Sequence, residues 1–486
     1  MGEQPNILLI MTDQQRFDSL GCYGGEFVNT PELDRLAREG IVFDNGYVNA
    51  TICTPSRACL MTGKALPGHG VYKLHDNLPE DQVLFPKRLK EKGYKTALFG
   101  KLHVSGRVTE ADRRHPNDGF DIYEACNDPT LHLDSPLNAY ARWVEEHHPQ
   151  FWERLKRENK RLKHFPKKAH NTYWAAERTI DFLQTHDGEQ PFFAMMSVFD
   201  PHDPYDDYPP EAMETIHAER LDSAESAGPQ LDGEPEGLLR ERQKFLKRYG
   251  SAKLEEDLRG YYASIGFLDE QAGRVLRKLE ERGLMDNTLV IFTSDHGDMM
   301  GDKQLYTKGA YFYEACAKIP LLMRLPGELP EGERSSQLVQ LHDLAGTILS
   351  AAGFTRKELA GVMPDTQNLL EIVRGNSVGR GYAVTQYRNS GYSHEGKYWS
   401  PSLNATMLRD SRYKLNMYHD QPGGEMKQEG ELYDMLRDPR EERNLWNDPQ
   451  FADVKLRLTL RYVDWTVRQE NLYLSGRGGE AVTSQA

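Results

Sequence analysis

The sequence predicts an α/β fold built on a large, mostly parallel sheet with helices on both faces. Residues 7–11 form a continuous apolar run, which is typical of a strand buried on both sides. Further strand-length apolar runs alternate with helix-length segments through the first three quarters of the chain. Strands that alternate with helices favour parallel pairing, so we expect helices to cover the sheet on both sides.

The individual elements follow from apolar periodicity and from capping residues. Strands are predicted at residues 7–11, 96–99, 192–199 and 289–293. Helices are predicted at residues 31–40, 85–92, 172–185 and 261–282. Thr30 is the expected N-cap of the first helix, and Gly40 and Gly283 are expected to end the first and last of these helices.

Two charged stretches, 140–168 and 223–256, interrupt the alternation. The first reads as a helical insertion near the surface and the second as a loop followed by a charged helix. Solvated decoration is the simpler interpretation of both, and a substrate-shaping insertion is the alternative.

The character of the chain changes after about residue 375. Residues 407–416 predict two strands around a turn, residues 431–434 predict a further strand, and a helix follows to about residue 473. We therefore divide the chain into a catalytic α/β domain (1–375), a smaller α+β subdomain with an antiparallel sheet (376–474) and a flexible tail (475–486). At 486 residues, a large domain with a smaller one is the ordinary expectation.

Charge and cysteine usage exclude some classes of protein. The formal net charge of −14 argues against nucleic-acid binding, which normally requires a basic face. An anionic substrate stays compatible, because a few local cations can reverse the field inside a cleft. The number of cysteines, five, is odd, and no two of them are spaced as a C-x-x-C pair. We therefore expect neither a disulfide framework nor a structural zinc site.

The amino terminus lacks the basic start and the small-residue cleavage site of a signal peptide. No apolar run is long enough to cross a bilayer. The sequence as it stands therefore predicts a cytoplasmic protein with no membrane partner. A trimmed signal peptide would leave the same sequence and indicate a periplasmic or secreted protein.

Polar, reactive residues follow four predicted strands. They are Asp13 and Gln14, Lys101 and His103, Asp200 and His202, and Asp295 and His296. Alone, each has a simpler interpretation, such as a helix cap for an aspartate or a solvated cation for a lysine. Ligands of open α/β sheets bind beyond the carboxyl ends of the strands. Together, the four strand ends predict one pocket.

The acids and the amide among these residues suggest a metal site. Carboxylate and amide oxygens from Asp13, Gln14 and Asp295 suit a hard cation such as Ca²⁺ or Mg²⁺. His296 is an unusual ligand for Ca²⁺ and would also suit Mn²⁺ or Zn²⁺.

The basic residues suit a tetrahedral anion. The candidates are Lys101, His103, His202 and Lys308. A sulfuryl or phosphoryl group needs its peripheral oxygens neutralised and its leaving oxygen protonated, and lysine and histidine can perform both tasks.

Cys53 opens the segment Cys-Thr-Pro-Ser-Arg, where the chain turns. A thiol here can be a nucleophile or a small buried residue. If a helix starts at Cys53, its N-terminus favours an anion, and Arg57 lies one turn in. Cys59, in an apolar stretch that looks like the start of a helix, is predicted to pack in the core.

Residues 53–63, with the core Cys-x-Pro-Ser-Arg before Thr-Gly, resemble the signature of the type I sulfatases. Similar family elements are residues 6–13, 21–24, 30–36, 100–103, 201–202, 295–297, 308–309, 431–434 and 438–439, so the resemblance covers nearly the whole chain. It implies the alkaline-phosphatase-like fold. It also implies that a formylglycine-generating maturation enzyme converts Cys53 to formylglycine, which contacts the metal together with Asp13, Gln14, Asp295 and His296.

The resemblance further implies a role for each residue. One hydroxyl of the formylglycine hydrate, activated by the metal and by Asp295, attacks sulfur. His202 or Lys308 protonates the leaving oxygen. His103 deprotonates the second hydroxyl, which expels sulfate and restores the aldehyde. Arg57 and Lys101 hold the diol and the sulfate charge.

Two departures from the family pattern bear on the metal and on the substrate. Asp13-Gln14 stands where many members have Asp-Asp, and Asp295-His296 where many have Asp-Asn. Both lower the negative charge at the cation, for which we expect Ca²⁺, with Mn²⁺ or Mg²⁺ as alternatives. Both also bring the site closer to the phosphonate monoester hydrolases, whereas Thr54-Pro55-Ser56 is the sulfatase-like version of the signature.

The favoured interpretation is a sulfuric ester hydrolase acting on a sulfated carbohydrate, as a small molecule or oligosaccharide, or on another small organic sulfate. A phosphonate monoester or phosphodiester hydrolase on the same scaffold is the alternative. A non-catalytic anion- or glycan-binding relative is the alternative from another class. The oligomeric state stays open, with self-association common among large relatives.

Overall fold

The computed structural model describes residues 4–223, 234–248, 251–390, 402–419 and 429–474. The predicted tail, 475–486, and most of the predicted loop after residue 223 lie outside these ranges. Among the described residues, no helix combines the length and the apolar character that crossing a membrane requires.

The larger sheet of the described chain has eight strands in the order β4-β3-β5-β1-β6-β7-β2-β8. The strands are β1 Asn6–Thr12, β2 Ile41–Tyr47, β3 Lys95–Gly100, β4 Ile122–Ala125, β5 Phe192–Ser197, β6 Thr288–Ser294, β7 Leu321–Arg324 and β8 Glu333–Gln340. Strand β7 runs antiparallel to β6 and β2, and the other neighbours pair in parallel. The predicted mostly parallel sheet is confirmed.

Strand β1 lies in the middle of this sheet, between β5 and β6, and all of its residues are buried. Side chains alternate between the two faces of a strand. Ile7, Leu9 and Met11 accordingly pack into one hydrophobic core, and Leu8 and Ile10 pack into another on the opposite face. The continuous apolar run therefore reflects burial on both sides.

Helices pack on both faces of the sheet and also elsewhere in the described chain. They are α1 Pro31–Arg38, α2 Cys53–Thr62, α3 Leu66–His69, α4 Phe85–Glu91, α5 Arg107–Asp112, α6 Ala139–His147, α7 Pro149–Glu158, α8 Asn171–Thr185, α9 Ala218–Ser223, α10 Glu236–Arg248, α11 Ser251–Glu281, α12 Glu314–Ala317, α13 Asp343–Ala351, α14 Arg356–Val362, α15 Leu369–Val373 and α16 Ala452–Leu474. Helix α11 begins ten residues before the predicted start at 261, and β5 ends two residues before the predicted end at 199.

Two local predictions are confirmed only in part. Thr30 occupies the N-cap position of α1, but its hydroxyl accepts a hydrogen bond from the Gly21 amide and does not cap the helix. The 140–168 insertion is more than solvated decoration. Tyr140, Val144 and Leu155 on α6 and α7 are buried in the core that also holds the β1 residues Leu8 and Ile10. Their spacing along each helix places them on one inward face, while the charged residues between them face outward.

The smaller sheet is antiparallel, in the order β12-β11-β10-β9. Its strands are β9 Tyr382–Arg388, β10 Asn404–Asp410, β11 Tyr413–His419 and β12 Glu429–Asp434. An ion-pair cluster joins it to the rest of the chain: Lys414 Nζ on β11 lies 2.9 Å from Glu314 Oε1 on α12 and 2.8 Å from Glu441 Oε1. The predicted antiparallel sheet is confirmed.

Candidate active site

The carboxyl ends of β3, β5, β1 and β6, four neighbouring strands, meet at one edge of the large sheet. Backbone hydrogen bonds continue between the segments that follow them. The Lys101 amide donates to the Ser197 carbonyl at 2.7 Å, and the Asp13 amide donates to the Asp200 carbonyl at 3.2 Å. The Asp295 amide donates to the Thr12 carbonyl at 3.3 Å. The polar residues predicted from the four strand ends are thus brought together.

Asp13 lies at the centre of this group and is fully buried. Its Oδ2 lies 2.5 Å from Lys101 Nζ and 3.2 Å from Arg57 Nη2. Its Oδ1 lies 3.9 Å from each of three basic nitrogens, His202 Nε2, His296 Nε2 and Lys308 Nζ. Burial favours protonation of Asp13, but Lys101 and the other nearby cations outweigh it and hold the pKa of Asp13 well below its ordinary value. Asp13 is therefore a fixed negative charge.

Cys53 is the first residue of α2, and every residue of that helix is buried. Pro55 suits a first helical turn because it lacks an amide hydrogen that would need a partner there, and Gly63 ends the helix in the left-handed conformation at φ 64°. Cys53 Sγ lies 3.2 Å from His296 Nε2 and 3.7 Å from Asp13 Oδ1. Burial raises the pKa of the thiol, but Lys308, Lys101 and His296 outweigh it and lower the pKa well below the ordinary value.

Arg57 lies one helical turn after Cys53 and ties α2 to the strand ends. Its Nε donates to Asp295 Oδ2 at 2.7 Å, and its Nη1 donates to Ser197 Oγ at 2.9 Å and to the Lys101 carbonyl at 3.0 Å. Cys59 lies in the middle of the same helix rather than at its start, and it is buried as predicted.

Gln14, one of the predicted metal ligands, forms a hydrogen bond with Lys308. Its side-chain Oε1 accepts a hydrogen bond from Lys308 Nζ at 2.5 Å, and its Nε2 donates to Asp298 Oδ2 at 2.6 Å and to the Tyr205 hydroxyl at 2.8 Å. The backbone of Gln14 has φ 68°, a left-handed value that a non-glycine residue rarely adopts. Such strain persists where the surroundings enforce it, as these three contacts do.

His103 lies on the other side of α2, with Nε2 at 3.1 Å from Thr54 Oγ1. It also has a left-handed backbone, with φ 55°, which Glu110 stabilises by accepting the amide hydrogen bonds of His103, Val104 and Ser105. Burial and the nearby Lys101 lower the pKa of His103 to about 3. The ring is therefore neutral at physiological pH and can accept a proton.

Four buried residues can supply ligand atoms to one metal ion. Atoms of Asp13, Cys53, Asp295 and His296 all lie within 4.8 Å of one another. Burial and the Asp13 charge raise the pKa of Asp295, which shows that the two carboxylates repel each other. Two close carboxylates beside an imidazole suit a divalent cation, so the residues present fit a metal ion.

The sequence profile described as "Sulfatase" matches residues 5–354, and one described as "N-sulphoglucosamine sulphohydrolase, C-terminal" matches residues 301–467. The chain belongs to the sulfatase family. An N-acetylglucosamine-6-O-sulfatase of Bacteroides thetaiotaomicron is 28% identical and covers 93% of this chain and 84% of its own length. An arylsulfatase of Clostridium perfringens is 29% identical and covers 93% of this chain and 92% of its own length.

Solved structures share the fold of this sulfatase. A protein crystallised with its substrate D-glucosamine-2-N,6-O-disulfate superposes with a TM-score of 0.72 at 23% identity, covering 96% of this chain and 98% of its own. A phosphonate monoester hydrolase of Agrobacterium radiobacter superposes with a TM-score of 0.75 at 23% identity, covering 96% of each chain. The alkaline-phosphatase-like fold expected from the resemblance is confirmed, and the chain is an enzyme that hydrolyses sulfate esters.

Three residues that support the site of this sulfatase were missed as functional candidates. Tyr205 and Asp298 hold the Gln14 amide, and Glu110 holds the strained backbone at His103. Asp298 directly follows the family element at residues 295–297 and was not singled out. Tyr205 and Glu110 carry no motif of their own, and only the tertiary contacts reveal what they do.

Proposed function

We propose that this sulfatase removes sulfate from a sulfated carbohydrate, with formylglycine at position 53 and one divalent cation, Ca²⁺, in the site. The observation that carries the proposal is the place of Cys53. It lies buried at the start of a helix, beside the metal-type residues and within a group of cations. A lone structural thiol would need none of these neighbours.

Asp13, Gln14, Asp295 and His296 would hold the cation together with the side chain at position 53. Cys53 Sγ occupies the place that an oxygen of formylglycine would take. The cation, when bound, would neutralise an oxygen of the sulfate group and favour the ionised form of the nucleophilic hydroxyl.

The remaining residues divide between charge and proton transfer. Arg57 and Lys101 are buried cations that both contact Oδ2 of Asp13 and would stabilise the negative charge that develops on sulfate. His103 is neutral, since burial and Lys101 lower its pKa to about 3, and it is the histidine beside Thr54 that would accept a proton near position 53. His202 Nε2 and Lys308 Nζ each lie 3.9 Å from the other Asp13 oxygen, Oδ1, and one of the two would protonate the leaving oxygen.

A carbohydrate substrate is supported by the relatives. One of them is named as an N-acetylglucosamine-6-O-sulfatase, and a protein of the same fold is bound to a disulfated glucosamine. The proposal includes the maturation enzyme that forms formylglycine. We also propose that the catalytic domain ends, and the smaller subdomain begins, at about residue 375.

Rates on an aryl sulfate and an aryl phosphonate, measured on one preparation, test the reaction class. We expect a higher kcat/KM on the sulfate. The Cys53→Ala variant should lose turnover of both substrates. Cys59→Ala, which removes a buried thiol from the same helix, is the matched control and should keep its activity. Full activity of Cys53→Ala would contradict every enzymatic interpretation of this site.

Mass spectrometry of the peptide that spans residue 53 tests the modification. We expect the aldehyde in the active preparation, and activity should scale with the converted fraction. An active preparation that contains only cysteine at this position would contradict the role of formylglycine while leaving the reaction class intact.

A phosphonate monoester hydrolase is the second candidate, favoured by Gln14 and His296 in the metal set. Gln14 replaces an acid with a neutral amide and His296 replaces an amide with an imidazole, so both change the ligand chemistry at the cation. The aryl comparison decides between the candidates, because a higher kcat/KM on the phosphonate would favour this one. Tight binding of a sulfated sugar without any turnover would instead favour a non-catalytic relative.

A further inference from the structure

A second group of metal-type residues lies behind the turn that carries His202. His170 precedes α8, Asp200 follows β5, and Asp207 lies seven residues further along. All three side chains are buried, and ligand atoms from the three lie within 4.8 Å of one another. His170 Nδ1 is 3.6 Å from Asp200 Oδ2.

The polar atoms of this group are poorly satisfied. Within the described ranges, both carboxylate oxygens of Asp207, Oδ1 of Asp200 and Nε2 of His170 are buried and have no hydrogen-bond partner. Asp200 Oδ2 accepts a hydrogen bond from the Thr172 hydroxyl at 2.5 Å, and His170 Nδ1 accepts one from the Thr172 amide at 3.2 Å. Buried polar atoms are nearly always paired, so a concentration of unpaired ones around a common centre points to a missing partner.

No lysine or arginine among the described residues forms a salt bridge with Asp200 or Asp207. The adjacent Asp206 shows the contrast, since it lies nearer the surface and pairs with Lys163 at 3.1 Å. Burial raises the pKa of Asp200 to about 7, and burial together with the Asp200 charge raises the pKa of Asp207 to about 7. Two buried carboxylates therefore share a site in which the protein supplies no compensating cation.

We propose that His170, Asp200 and Asp207 bind a second divalent cation, distinct from the cation at Cys53. One imidazole and two carboxylates match Mn²⁺ or Zn²⁺ better than Ca²⁺, which prefers a larger set of oxygen ligands. Asp200 Oδ1 and both oxygens of Asp207 are available as ligands. His170 would supply one ring nitrogen as the third ligand.

The position of this site gives the cation a structural task next to the active site. Asp200 and Asp207 bracket a segment that carries His202 and Tyr205, and Tyr205 contacts Gln14. The Asp200 carbonyl also accepts the amide hydrogen bond of Asp13. A cation that joins Asp200 and Asp207 to His170 would fix both ends of this segment against the start of α8, and would thereby position His202.

Metal content after equilibrium dialysis against Mn²⁺, and separately against Zn²⁺, tests the proposal. Because no Ca²⁺ is present in the dialysis, we expect Mn²⁺ or Zn²⁺ to fill the site at Cys53 as well, so that the intact chain retains two equivalents of the metal and Asp207→Asn retains one fewer. Asp206→Asn is the matched control, because it removes a neighbouring carboxylate that lies outside the cluster, and it should retain the same amount as the intact chain.

The Asp13→Asn variant separates this site from the proposed catalytic one. It should lose one equivalent and keep the one at His170, Asp200 and Asp207. This result also decides the matter if Asp207→Asn fails to fold. Two results would overturn the proposal. In the first, the intact chain holds one equivalent of metal and Asp13→Asn holds none. In the second, a folded Asp207→Asn retains the metal content of the intact chain. Retention of all metal by Asp13→Asn alone would count against the catalytic metal site instead.

Discussion

Arg57 Nε donates a 2.7 Å hydrogen bond to Asp295 Oδ2, and both side chains are almost completely enclosed, with exposures of 1% and 0%. Arg57 lies on the helix that begins at Cys53, and Asp295 lies at the end of β6. The same guanidinium reaches Asp13 Oδ2 at the end of β1. One side chain therefore sets the distance between the proposed nucleophile and two metal-type carboxylates.

Arg57→Lys should lower kcat/KM by about 100-fold or more, because lysine keeps the charge but cannot contact Asp295, Asp13 and Ser197 together. It should also lower the free energy of unfolding by about 3 kcal/mol, since a buried carboxylate loses its partner. Steady-state kinetics and thermal unfolding measure the two effects. Arg35→Lys, at a surface ion pair on α1, is the control and should change neither. An active, stable Arg57→Lys variant would show that charge alone suffices.

His103→Gln should slow the second half of the reaction more than the first. If His103 accepts a proton after the alcohol has left, the variant should release alcohol rapidly once per active site and then turn over slowly. Rapid-mixing measurements of alcohol and sulfate release separate the two phases. His147→Gln, at an exposed helical position, should behave like the unmodified enzyme. Equal slowing of both phases would contradict this role.

The activity lost on replacing His202 and the activity lost on replacing Lys308 should depend differently on the leaving group. Burial lowers the pKa of Lys308, but Cys53 and Asp13 outweigh it and raise the pKa above its ordinary value, so Lys308 holds its proton and acts as a fixed charge. The activity lost in His202→Gln should therefore grow with the pKa of the leaving alcohol, because a poor leaving group needs an acid. The loss in Lys308→Met should be uniform. Kinetics on a series of sulfate esters measure both dependences, and the reverse pattern would assign the acid to Lys308.

The ion pair between Glu314 and Lys414 should make stability depend on acid pH. Burial raises the pKa of Glu314, but Lys414 and neighbouring cations outweigh it and lower the pKa from 4.5 to about 2. A lowered pKa means that the ionised form stabilises the fold, so this contribution is complete above pH 4.5 and is lost as the pH falls towards 2. It amounts to about 3 kcal/mol.

Thermal unfolding between pH 5 and pH 2 tests this dependence. The melting temperature of the intact chain should fall more steeply than that of Glu314→Gln, which has no charge to lose. Glu331→Gln, at an exposed position, should follow the intact chain. Parallel curves for all three proteins would show that Glu314 does not contribute.

Gly100→Ala should destabilise the fold and disturb the site. Gly100 has φ 115°, and a Cβ atom at this position would lie 1.9 Å from the Ser197 carbonyl oxygen, which accepts the Lys101 amide hydrogen bond. We expect a loss of about 3 kcal/mol or more in unfolding free energy and a loss of activity through Lys101. Gly361→Ala is the control, because a Cβ atom there meets nothing within 4 Å and alanine favours the helix. Denaturant unfolding compares the two variants.

The four central strands β1, β3, β5 and β6 of the large sheet were predicted because they are short apolar runs, whereas β2, β4, β7 and β8 were not predicted. The candidate residues at the strand ends were also predictable, since parallel strands place their carboxyl ends along one edge. The sequence left open whether a helix begins at Cys53, and the structure contains that helix.

The supporting contacts were not predictable in the same way. Tyr205 binds the Gln14 amide from a segment 191 residues away, and no local pattern marks such a partner. The burial of Tyr140 and Val144 was obscured by the charged residues around them, which face solvent. His170 and Asp207 belong to different elements, and only their packing against Asp200 makes them a group.

The central position of β1 also bears on the order in which the chain folds. The strand is made first, yet its two neighbours in the sheet are β5 and β6, and the amide of Gln14 pairs with a carboxylate 281 residues further along the chain. Contacts of such separation form slowly, because a long loop must close before any of them is made. A nascent chain that ends before residue 288 lacks β6, Asp295, His296 and Lys308, so it has no complete site. During synthesis the catalytic edge is therefore complete only after the chain has been made as far as Lys308.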